Sequence, residues 1–118
     1  MDAISLPDVA REHLATARAA SSGRSALTVH GGSEHVLRQT VITLSGGREL
    51  AEHEAHGEST VQVLVGRVRL TAGESSWEGR SGDLLVVPAE PHALHALEDS
   101  AVLLTVAMLS PAIAAEQV

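Results

Sequence analysis

Helical spacing governs only the first twenty residues; β-type alternation governs the rest. Between Leu6 and Ala20, Val9, His13, Leu14 and Ala17 recur at helical spacing, and Pro7 suits a first turn. Ser21-Ser22-Gly23 stops the run. The pattern predicts a helix over 6–20, either a lid packed over one edge of the body or a docking arm for a partner. From Ser25 onward the apolar residues fall into short runs of β type at 26–30, 36–44, 49–53, 60–65, 68–72, 76–78, 84–87, 92–97 and 102–109. Glycines mark turns at Gly31-Gly32, Gly46-Gly47, Gly57, Gly66, Gly73 and Gly82. Many short strands at such spacing predict an all-β sandwich or barrel. Val61-Gln62-Val63-Leu64-Val65 is apolar on both faces and predicts a well-buried strand. Arg67-Val68-Arg69-Leu70-Thr71 alternates, so one of its faces meets water. The predicted organisation is a helical arm over 1–24, a barrel over 25–110 and a frayed tail over 111–118.

Composition narrows the chemistry. At 118 residues the chain suits one domain with a core that needs no disulfide staples. Trp77 is the sole aromatic residue of the Phe, Tyr and Trp class, so the core must be built from Val, Leu, Ile and Ala. Base stacking on aromatic rings is thereby nearly excluded. The net charge of −7, with no basic cluster, argues against nucleic-acid binding. All eight basic residues are Arg, which excludes a lysine Schiff base, and the lack of Cys excludes thiol catalysis and thiolate metal sites. The acidic N-terminus lacks the regions of a signal peptide, and 101–109 is too short to span a bilayer. A cytoplasmic protein without membrane contact is expected.

Two segments carry the remaining chemistry. GRELAEHEAHGESTVQVLVGRVRL, over 47–70, sets His53 and His56 just before a β run. GDLLVVPAEPHALH, over 82–95, sets His92 and His95 just after one. In these segments the chain resembles small single-domain bacterial cupins of the RmlC-like jelly-roll superfamily. Gly47, five residues and His53, with Gly66 closing, fit the first cupin motif; Gly82, five residues and Pro88 fit the second. The resemblance implies a double-stranded β-helix, a jelly-roll barrel with a short N-terminal helix, and assigns His53 and His92 to metal-ligand positions. The chain departs from the pattern elsewhere. His53-Glu-Ala-His56 replaces His-x-His, Ser59 stands at the glutamate position with Glu58 one residue early, and Ala96 stands at the asparagine position.

Neutral imidazoles on strands make good ligands for the later divalent metals, so His53, His56, His92 and His95 are the candidate set. Strand parity qualifies it: residues three apart face opposite ways. His53 and His56 both look inward only if the chain turns or bulges, and His95 points outward if His92 points inward. The expected cofactor is a divalent transition metal, whether Fe, Ni, Cu, Mn or Zn. Glu58 is the nearest candidate catalytic base, Ser59 a pocket residue and Gln62 an interface residue. His30 and His35 read as a solvated hairpin, Glu49, Glu52 and Glu54 as an acidic rim, and Trp77 as a packing anchor. Three functions remain open: a metal-dependent enzyme on a small polar organic molecule (oxygenase, isomerase, cyclase or lyase), a non-catalytic small-molecule binding or sensing barrel, and a barrel whose site has lapsed. A small-molecule ligand or substrate and a homodimer formed through one sheet are the expected partners.

Overall fold

A computed structural model describes residues 2–53 and 57–108. His56 and the tail thus lie outside the described residues. The helix α1 covers Leu6–Ala19. Ser5 caps it, its hydroxyl accepting from the Asp8 N–H, and Asp8 also favours the positive end of the helix dipole. Val9, Ala10, Leu14 and Ala17 form the buried face. His13 is half-buried, its Nδ1 2.9 Å from the Ser25 hydroxyl.

Among the described residues nine strands follow: β1 Arg24–His30, β2 Leu37–Leu44, β3 Glu49–His53, β4 Glu58–Val65, β5 Arg67–Ala72, β6 Ser75–Arg80, β7 Leu84–Val86, β8 His92–Ala96 and β9 Ser100–Ala107. They form two antiparallel sheets ordered β1-β2-β9-β4-β7 and β3-β8-β5-β6. Alternation on each strand fills the space between the sheets. Leu44, Val61, Val63 and Val102 come from the first sheet; Val68, Leu70, Leu94 and Ala96 come from the second. Trp77 packs against this cluster, as a packing anchor should. Gly79, two residues on, lies against its indole, and a Cβ there would overlap the ring. Gly79→Ala is therefore expected to cost about 1–3 kcal/mol through overpacking. Urea unfolding should show a lower midpoint with an unchanged slope.

The helix does not close an edge of the barrel; it lies on the outward face of the first sheet. The reason is that β2 is apolar on both faces. Ile42 and Leu44 pack inward, while Val41 joins Val9 and Leu103 beneath the helix. Thr43, fully buried there, donates to the His13 carbonyl at 3.0 Å. Of the run Val61–Val65, Val61 and Val63 are buried but Val65 is exposed at the strand end. On the edge strand β7, Leu84 and Val86 remain 62% and 65% exposed. Among the described residues, no helix is long and apolar enough to cross a membrane.

One carboxylate ties the helix to the end of the barrel at which β2, β4 and β8 finish. Asp99, in the turn before β9, accepts from the Gly46 N–H at 2.7 Å and from the Arg18 guanidinium at 2.6 Å. These bonds, the Gly46 one foremost, hold its carboxyl below the usual aspartate range. Because the folded value is the lower, the contribution is complete at neutral pH and fades as pH falls below about 4 towards the folded value. The side chain is 39% exposed, so solvent screening limits Asp99→Asn to a loss of about 1 kcal/mol. Chemical denaturation at pH 7 and at pH 3 checks this: the gap between wild type and variant should narrow at the lower pH.

Candidate metal centre

The open end of the barrel is set by the pairing of β3 with β8. Glu49 opposes His95, Leu50 opposes Leu94 and His53 opposes His92. Three steps along β3 thus match two along β8, which is a β-bulge at Ala51 and Glu52. Its origin lies in packing. Leu50 joins the core beside Leu94, and without an extra residue His53, three positions later, would fall on the opposite face. The bulge brings the backbone of His53 into register opposite His92. The turn or bulge expected between His53 and His56 lies outside the described residues.

His92 is 7% exposed. Its Nδ1 lies 3.0 Å from the Glu90 carbonyl, an acceptor only, so Nδ1 carries a hydrogen. This is the usual arrangement of a ligating histidine, whose second nitrogen is held by a carbonyl or carboxylate. Among the described residues the register thus pairs two histidine positions, and at one of them a backbone carbonyl holds Nδ1. His56 lies outside the described residues, and among those described no three His, Cys, Asp or Glu side chains gather into a metal site.

The structure does not bring His95 to His92. Along β8, His92, Leu94 and Ala96 face inward, and His95 faces out. There its Nδ1 pairs with Glu49 at 2.8 Å and its Nε2 lies 3.3 Å from the Thr71 hydroxyl. Glu49, His95, Arg69 and Glu78 form one outward row across all four strands, closed by an Arg69–Glu78 ion pair at 2.6 Å. Glu49 thus serves this row. Glu58 is likewise apart from His92. It is exposed and falls in the β4 series of Thr60 and Gln62, outward of Val61 and Val63. Ser59 belongs to the inward series, as parity predicts.

Sequence reasoning overlooked Arg38. It opposes Val106 on β9, and Val106 opposes Ser59 on β4, so Arg38 falls in the register series of Ile42 and Leu44, though at the strand's start it is exposed. Counting back by two from Leu44 was the available signal. Beside the His92 strand, Leu70, Ala72, Trp77, Leu85 and Pro88 line a cleft of about 140 Å³. His30 and His35 meet edge to face at 4.8 Å in the β1–β2 hairpin.

No protein-family model matches the sequence, and no curated protein does. Solved structures do. A conserved protein of unknown function from Streptococcus pyogenes is 28% identical, with a TM-score of 0.68 over 76% of this chain and 78% of that one. An RmlC-like cupin protein from Desulfovibrio desulfuricans is also 28% identical, with a TM-score of 0.62 over 71% and 81%. The salicylate 1,2-dioxygenase of Pseudoaminobacter salicylatoxidans is 20% identical, with a TM-score of 0.72 over 93% of this chain but 36% of the enzyme. The strand order, the two facing sheets and these neighbours lead to one conclusion: the chain is a small cupin-fold domain.

Proposed function

We propose that this domain binds a divalent transition metal through His53, His56 and His92 at the open end of the barrel, and presents it to a small polar organic ligand. The observation that carries the reading is the β3 bulge, which spends an irregularity to set His53 opposite His92. When bound, such an ion acts as a Lewis acid towards a carboxylate or enolate oxygen. The chain's own part is to hold and select. Arg38, in the register series of Ile42 and Leu44, offers a guanidinium to an anionic group of the ligand. His95 is not among the proposed ligands, because both its ring nitrogens are engaged on the outward face.

The place of Glu58 favours a second reading within the same site. With that carboxylate on the outward series, the nearest candidate base is lost, which supports metal-dependent binding without turnover. The dioxygenase likeness supports turnover only by analogy of fold. Thermal denaturation with added Co, Ni or Zn ions tests the shared claim. A saturable rise in midpoint, reversed by chelator and absent with Mg, is expected. No rise with any of the three would contradict metal binding.

A further inference from the structure

At the barrel end opposite His92, β5 begins and β6 finishes with arginines directly opposed, Arg67 against Arg80. Like charges so placed repel unless something lies between them. Among the described residues neither guanidinium has an ion-pair partner, although the neighbouring outward pair Arg69–Glu78 is neutralised at 2.6 Å. Arg67 Nε is buried and has no hydrogen-bond acceptor. Buried donors are nearly always satisfied in folded proteins, by protein groups, ordered water or a bound group. Both arginines line an open polar cleft of about 470 Å³ with Gly66, Ser81 and Glu98.

We propose that Arg67 and Arg80 form a binding site for a small oxyanion, a phosphate or carboxylate group, separate from the candidate metal centre. Guanidinium forks match the planar or tetrahedral oxygens of such groups, and the Ser81 hydroxyl at the cleft wall adds a further donor. The site is rigid at its base. The Arg67 N–H donates to the buried Ser100 hydroxyl at 3.1 Å, and the Arg67 carbonyl accepts from the Leu97 N–H at 2.9 Å. The acidic groups nearby are committed or apart. Glu78 pairs with Arg69 and also lies within electrostatic reach of Arg67 and Arg80, without a salt bridge to either; Asp83 accepts from the Arg80 backbone N–H at 2.9 Å, and Glu98 lines the cleft without pairing with either arginine.

Isothermal titration at constant ionic strength, with inorganic phosphate and with malonate as separate probes, tests the site. Saturable binding of at least one probe to the wild-type chain is expected, weakened at least roughly tenfold in Arg67→Gln and in Arg80→Gln. A preference for phosphate assigns the site to phosphoryl groups, and a preference for malonate to carboxylates. Arg80 is exposed and its side chain makes no hydrogen bond among the described residues, so its variant tests the site without a folding defect. No saturable binding of either probe, or an affinity unchanged in either arginine variant, would overturn the proposal.

Discussion

Replacing His92 by alanine is expected to lower the affinity for Co, Ni or Zn by at least about a hundredfold, whereas His95→Ala should leave it within a few-fold of wild type. The contrast follows from parity on one strand. His92 is buried on the inward row opposite His53, with its Nδ1 held by the Glu90 carbonyl. His95, three residues on, spends both ring nitrogens on Glu49 and Thr71 outside the barrel. Competition titration against a chromogenic chelator reads both variants. His92→Ala also removes a buried hydrogen bond, with an expected stability loss of about 1 kcal/mol. Unfolding measured beside the titration separates that loss from the loss of a ligand. Equal affinities in the two variants would remove His92 from the site.

The second large effect concerns the fold. Gly66 joins β4 to β5 with φ +88°, a conformation that side chains rarely adopt. A Cβ there would also overlap the Asp99 carbonyl and the Ser100 hydroxyl. These atoms belong to the turn entering β9, and the Ser100 hydroxyl lies 2.7 Å from the Glu98 carbonyl and 3.1 Å from that of Arg67. Backbone strain and collision with a backbone oxygen cannot be relieved by a rotamer change. Gly66→Ala is therefore expected to cost about 3 kcal/mol or more. The thermal midpoint should fall by roughly 10 °C or more. Gly82→Ala shares the positive φ but meets nothing within 4 Å, so calorimetry should show a smaller fall there.

The barrel was legible because its strands obey a period of two and its turns are marked by glycine. The helix was legible from its spacing, but its seat was not. That seat depends on Val41, Thr43 and Leu103 being left uncovered on the outward face, which becomes visible only once β2 and β9 are paired. Within the site, parity along β8 separated His92 from His95. Parity along β3 misleads, because a bulge at Ala51 and Glu52 resets the count and the sequence there carries no glycine to mark it. Glu58 drew notice by its nearness to His56 in sequence, yet alternation from Val61 and Val63 places it outward. Arg67 and Arg80 are thirteen positions apart, and only the β5–β6 register makes them neighbours.

X-ray absorption at the metal edge of the Co- or Zn-loaded chain tests the central claim most directly, because it counts imidazoles on the metal. At least two are expected in the wild type, with His53→Ala and His92→Ala each losing one imidazole or the metal altogether. A metal bound with the same imidazole count in wild type and both variants would contradict it.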